Sequence, residues 1–269
     1  MPEASREKVE LGFSRQGCAG KSGMRARAAM VAFAGVVVLT AGCRMVTGEP
    51  EEGEGRRSSA SNFPRADRPI APIVSTRYAS EEARDRLGEA EDIMERAGIR
   101  PGMTVADIGA GEGYYTVRLA KRVGPSGRVL AQDIMAEVID ALGQRVNREH
   151  WDNVSVKLGT PDDPRLPANS FDRIMMVHMY HEIEEPYAFL WNLRPALKPD
   201  GEVIVVDAMR PIEQHGTPPK LLICEFGSVG YQLIDLEPRP SAGGYMARFR
   251  IVGARPDPDD IRPCALVTE

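Results

Sequence analysis

The chain has 269 residues, 27% charged and 42% hydrophobic, with a formal net charge of −5. Those values describe an ordinary globular protein of one domain, with or without appendages. The acidic balance and the lack of a basic run argue against nucleic acid as a partner.

The N-terminal residues differ from the rest. Arg25 and Arg27 precede the apolar stretch "AAMVAFAGVVVLTAG" (28–42), which ends in small residues before Cys43. A basic start, a short apolar middle and a small-residue exit describe a secretory signal. The stretch is shorter than the ~20 apolar residues that span a bilayer. Residues 1–43 are therefore expected to be a signal peptide. Residues 44–76 are rich in Pro, Gly, Ser and Glu without periodicity, and read as a disordered tether. No C-x-x-C pair occurs, so no cysteine zinc site is expected. Cys224 and Cys264 could pair in an oxidising compartment.

From residue 77 strands and helices alternate. Ser80 is a candidate N-cap for an amphipathic helix over 80–97, with apolar positions at Ala83, Leu87, Ala90, Ile93, Met94 and Ala97. Arg84 and Arg86 on it are expected to face water or nearby acids. Strands then follow at "MTVADI", "GRVLAQD", "VSVKLG", "FDRIMMVHM" and "GEVIVVDA", with helical patterns at "GYYTVRLAKRV", "AEVIDALGQRVNREH" and "EPYAFLWNLRPAL" between them. This alternation indicates an α/β, doubly wound Rossmann-like sheet, mostly parallel. Two last strands, "GYQLIDLEP" and "GGYMARFRIVG", form a hairpin that brings in an antiparallel strand. Residues 77–252 are thus the domain and 253–269 a C-terminal tail.

Ligands of such sheets bind beyond the carboxyl ends of the strands. "VADIGAGEG" sits there, with Gly109, Gly111 and Gly113 spaced G-x-G-x-G; Tyr114 occupies the third-glycine place of the dinucleotide fingerprint. Asp107 would sit poorly beside a pyrophosphate and suits a cationic ligand. Asp133, ending the next strand, can take two hydrogen bonds from a ribose diol. A nucleoside with a cationic centre and no phosphates answers this set, and S-adenosylmethionine is one.

Together "VADIGAGEGYYTVRLA", "VLAQD", "LPANSFDRIMMVHMYHEI" and "LKPDGEVIVVD" resemble class I S-adenosylmethionine-dependent methyltransferases of the small-molecule group, over roughly residues 80–250. The resemblance implies about seven strands with a reversed final strand. It places Asp107, Gly109 and Gly111 at the methionine and sugar of the cofactor, and Asp133 at the ribose. The acid expected at the adenine is replaced by Thr160, leaving Asp162 or Asp163 for that role, while His178 and Met179 stand beside the transferring methyl. The two downstream cysteines do not match the set expected of arsenite methylation. "LTAGC" resembles a bacterial lipobox, which implies a lipid anchor on Cys43 and an exported, membrane-tethered protein, or a cytoplasmic one if translation starts downstream.

"HMYHE" follows the fourth strand. It lacks the H-E-x-x-H spacing, so no metal is expected there. A solvated loop, a buried hydrogen-bonded histidine and an active-site role are all open. His181 is the candidate general base, with Glu182 orienting it. Tyr114 and Tyr115 pack the helix or wall the pocket, and residues 210–219 form a lid or a plain loop. Methyl transfer to a small-molecule acceptor is the leading reading. Because an exported protein works away from the cytoplasmic cofactor supply, a non-catalytic exported binding protein on the same fold is the alternative. A nucleotide-dependent oxidoreductase is disfavoured by Tyr114.

Overall fold

Seven strands in the order β3-β2-β1-β4-β5-β7-β6 make one sheet. A computed structural model of the chain describes residues 57–73 and 80–265. The expectations for 1–43, Cys43 included, and for 44–56, 74–76 and 266–269 lie outside those residues.

The strands are β1 (Thr104–Ile108), β2 (Arg128–Asp133), β3 (Val154–Leu158), β4 (Phe171–Val177), β5 (Leu197–Asp207), β6 (Tyr231–Arg239) and β7 (Gly244–Ile251). The pairs β1–β2, β2–β3, β1–β4 and β4–β5 are parallel; β7 runs antiparallel to both β5 and β6. β7 is therefore the reversed strand, as the hairpin reading requires. The centre of the sheet is apolar on both faces: Val105, Ala106, Ile108, Ile174, Met175 and Met176 are at most 1% exposed. Helices cover both sides, as near-continuous apolar strands demand. Each such Val, Ile or Met side chain contributes about 1.5–3 kcal/mol by leaving water.

The helices are α1 (Glu81–Arg86), α2 (Glu89–Arg96), α3 (Tyr114–Val123), α4 (Ala136–Arg148), α5 (Pro186–Leu193) and α6 (Pro219–Ser228). The single helix expected over 80–97 is two. Gly88 adopts φ 65° between them, a left-handed turn that breaks the hydrogen-bond ladder. The expected apolar position Leu87 then turns out to solvent, 64% exposed. Ser80 does cap α1, its hydroxyl accepting from the Ala83 N–H at 3.3 Å. α6 had no sequence signal, because it carries buried residues on more than one side (Leu221, Leu222, Glu225, Phe226) and so shows no amphipathic stripe.

The tether and tail expectations need correction where the chain is described. Residues 57–73 are docked: Ala60 and Ala71 are buried, and the Arg68 guanidinium donates to Glu225 at 2.8 Å with both side chains fully enclosed. Composition hid this, because a few anchors rather than a periodic face hold the segment. The tail is docked as well. Cys264 forms a disulfide with Cys224 of α6, its N–H donates to the Tyr187 hydroxyl at 2.6 Å, and Ile261 is 2% exposed. Among the described residues no helix is long and apolar enough to cross a membrane.

Candidate functional site

From β1 the chain winds through β2 to β3 at one edge; it then crosses back and winds outward through β4 and β5. The crevice between β1 and β4 is the switch point of this sheet, where ligands of doubly wound folds bind. A cleft of about 620 Å³ opens there. Its walls come from the turns after β1 (Gly109–Glu112), β2 (Gln132–Met135) and β4 (Val177–Met179), from Glu182 and Ile183, and from Ser80, Glu81 and Arg84 above.

The turns are tied to one another. The Gly111 N–H donates to Asp133 Oδ2 at 3.1 Å, and the Met135 N–H donates to Oδ1 at 3.1 Å. The Ala110 N–H donates to the Gln132 carbonyl at 3.0 Å. Asp133 therefore fixes the glycine turn while its carboxylate borders the cleft. Gly111 has φ 52°, and a Cβ there would meet nothing within 4 Å: the space beside its backbone is open cleft. The twist of the turn requires glycine, and the openness lets a ligand lie against the main chain.

α1 and α2 roof this cleft through charge. Arg84 grips Glu89 with two hydrogen bonds, 2.9 and 2.5 Å, and its guanidinium lies 3.8 Å from the centre of the Tyr114 ring. Tyr115 donates to the same Glu89 at 3.0 Å. Burial alone would raise the Glu89 pKa, but Arg84 and His178 outweigh it and hold the carboxyl at about 2. His178 Nε2 is 3.7 Å from Glu89 Oε1. His178 has φ 56°, in the left-handed region where non-glycine residues carry strain that concentrates at functional sites.

Residues 105–201 match a family model described as a methyltransferase domain. Over these residues the chain is similar to methyltransferase domains. Among solved structures, a SAM-dependent methyltransferase from Aquifex aeolicus superposes with a TM-score of 0.55 at 24% identity, covering 64% of this chain and 97% of that one, which supports the fold. A ubiquinone/menaquinone biosynthesis C-methyltransferase from Hahella chejuensis is 27% identical over 44% of this chain and 48% of its own length. Nocamycin O-methyltransferase from Saccharothrix syringae is 30% identical over 45% and 44%. The chain thus spans about half the length of these curated relatives.

Gly109, Gly111, Asp133, His178 and Glu182 come together around the cleft as read from sequence. Five other candidates are not in its wall, His181 among them. Asp107 is buried one layer behind, 3% exposed, accepting from the Thr116 hydroxyl at 2.6 Å. Burial, opposed by that hydrogen bond, lifts its pKa to about 6. Gly113 caps α3 with φ 88°, and a Cβ there would strike Leu142 Cδ1 at 2.5 Å, so it is glycine for helix packing. Asp162 and Asp163 turn away from the main cleft. Asp162 is buried and accepts from the hydroxyls of Ser59 and Thr160, with Asp163 beside it on a separate hollow under residues 57–63. Pro161 lines the main cleft in their place.

His181, the candidate base, is 3% exposed and outside the cleft wall, with Nδ1 at 3.0 Å from both carboxylate oxygens of Asp207. Its orienting partner is therefore Asp207, while Glu182 stands on its other side, 3.9 Å from Nε2. Asp207, Thr217, His215 and Glu89 were missed, while Arg84 meets a nearby acid as expected. Asp207 carried a readable signal, since it ends an apolar strand just as Asp133 does. Tyr114 resolves both ways: it is buried in packing, 6% exposed, and also borders the cleft.

Proposed function

We propose that the protein transfers a methyl group from S-adenosylmethionine to a small-molecule acceptor, with the cofactor lying along the crevice from Asp133 to His178. The observation that carries this reading is the open face of Gly111 beside Asp133 at the switch point of the sheet. The quinone and nocamycin methyltransferases among the relatives support a small organic acceptor. The acceptor enters at the Glu182 end, under Arg84 and Ile183. The protein's part is orientation: near-attack geometry is worth up to ~7–11 kcal/mol of barrier.

We further propose that the chain is exported and lipidated on Cys43. The basic and apolar run before that cysteine supports this, as does the Cys224–Cys264 disulfide, since disulfides persist in oxidising compartments. Incorporation of labelled fatty acid that disappears in Cys43→Ala checks the anchor.

Calorimetric titration with S-adenosylmethionine, with NAD as comparison, tests the function. We expect binding of the first and not of the second. Asp133→Ala should weaken the cofactor about 10- to 100-fold, the scale of ~1.5–3 kcal/mol for hydrogen bonds to a charged group. Absence of binding in folded wild-type protein would favour an exported binding protein for another ligand.

A further inference from the structure

Behind the acceptor end of the cleft, two imidazoles and a carboxylate converge from distant parts of the chain. His181 and Glu182 stand on the turn after β4, and His215 on the loop after β5. One ligand atom of each lies within 4.8 Å of the others.

Three features set this cluster apart from a chance grouping. His181 is oriented from behind: Asp207, completely buried, takes the Nδ1–H, which in the neutral imidazole leaves the Nε2 lone pair facing Glu182 and the rings' meeting point. Asp207 is fixed in turn by the Ala208 N–H at 2.8 Å and the Thr217 hydroxyl at 2.7 Å. A carboxylate behind a histidine is the usual outer shell of a metal-bound imidazole.

His215 is also aimed. Its backbone holds φ 56°, secured by its own N–H on the Ile212 carbonyl at 2.9 Å and by Arg210, which donates to its carbonyl at 3.3 Å. The loop is closed by Thr217, whose N–H donates to the Ala208 carbonyl at 3.0 Å and whose carbonyl accepts from Tyr245 at 2.9 Å. Finally, His215 Nδ1 is buried and has no hydrogen-bond partner among the described residues. Leaving such a nitrogen unsatisfied costs about 1–3 kcal/mol, and a cation at the centre of the cluster would relieve it.

We propose that His181 Nε2, His215 Nδ1 and the Glu182 carboxylate bind a divalent first-row transition metal of the zinc type. Two imidazoles with one carboxylate suit such an ion, and suit magnesium poorly. Tetrahedral ligands at about 2.0–2.1 Å stand about 3.4 Å apart, so side-chain settling of about an ångström closes the site. Glu182 also borders the cleft, which sets the site against its acceptor end. The metal site stands on its own geometry; its use, holding an oxygen atom of the acceptor, rests on the methyl-transfer reading. Sequence spacing hid the site because its third ligand lies beyond a whole strand.

The test uses the full chain, tag-free and stripped with chelator, titrated calorimetrically with zinc chloride and separately with magnesium chloride. We expect one equivalent of zinc at micromolar or tighter affinity, no comparable magnesium binding, and visible absorption bands on cobalt substitution. Asp207→Asn should weaken zinc about 10- to 100-fold. His215→Asn, which tolerates the left-handed backbone, should weaken it further. A cooperative thermal transition in each variant shows that it is folded. No zinc binding by the wild type, unchanged affinity in folded His215→Asn, or equal affinity for magnesium would each overturn the proposal. Zinc binding without S-adenosylmethionine binding would instead remove the methyl-transfer reading and leave the metal site.

Discussion

Two segments before the first strand hold onto the same domain with the same chemistry, arginine against carboxylate, in opposite settings. Residues 57–73 do so through Arg68 and Glu225, neither with any exposed side-chain surface. The Arg68 guanidinium also donates to the Ile183 carbonyl at 3.1 Å, and the Tyr180 hydroxyl donates to Glu225 at 2.8 Å. Helix α1 buries none of its six residues; Arg118 and Arg145 meet its Glu81 and Asp85 at the surface, and its own Arg84 reaches Glu89 of α2. A buried pair shielded from water is costly to break from one side, whereas exposed pairs are screened and worth little. The first segment is therefore part of the fold, fixing the turn that carries His181 and Glu182. The second is expected to open over the cleft at low cost.

The largest effect should come from halving the buried pair. Glu225→Gln leaves Arg68 charged and enclosed, and should cost about 3–5 kcal/mol in denaturant unfolding. The double variant Arg68→Met/Glu225→Leu should recover most of that loss, because an apolar pair of similar volume avoids the desolvation cost. If Glu225→Gln loses less than 1 kcal/mol, residues 57–73 are no better anchored than α1, and the contrast fails.

Two acids between these extremes give opposite pH signs. Asp107 titrates at about 6 in the fold against an ordinary 3.8, because burial penalises its charge. The native state then holds the proton more tightly, so stability falls as pH rises from about 4 to about 6. Asp107→Asn keeps an acceptor for Thr116 and should flatten that window, raising stability at neutral pH by up to about 3 kcal/mol. Glu89 is held down at about 2 against 4.5, so its contribution is complete above 4.5 and lost as pH falls below it. Glu89→Gln should remove that acid-side loss. Unfolding curves from pH 3 to 7 read both; a Glu89 variant whose stability changes only above pH 5 would contradict the assignment.

The sheet and the glycine-turn end of the cleft were legible in the sequence because both are local. Strand periodicity is written in short runs, and Gly109, Gly111 and Asp133 each sit directly at the end of a predicted strand. The acceptor end was only half legible. His181 and Glu182 were visible after β4, but what orients His181 is Asp207 from β5, and a pairing across two strands leaves no mark in spacing. Asp107 and Gly113 looked like ligand residues because they flank the turn; the alternation of the strand and the start of α3 point them inward, toward Thr116 and Leu142. The anchor at Arg68 was invisible for the same reason as α6: its partner Glu225 lies far along the chain on a helix without an amphipathic pattern.

The smallest effect expected is the most direct test of the cover. Asp85 receives two hydrogen bonds from Arg118, at 2.9 and 2.5 Å, and one from the Tyr114 hydroxyl at 3.0 Å, yet its side chain is 51% exposed. Asp85→Asn should therefore cost only about 0.2–1 kcal/mol in global stability, and less at high salt. Its local effect should be larger than its global one. α1 has no buried residue to back up the pairs left at Glu81 and Arg84, so its backbone amides should exchange faster with solvent while those of β1 and β4 stay unchanged. Hydrogen exchange followed by mass spectrometry separates the two. Faster exchange confined to α1 means that the roof over Arg84 and the cleft opens independently of the domain. Faster exchange spread through the central strands would mean that the surface pairs hold the fold itself, and that burial is not what distinguishes the two segments.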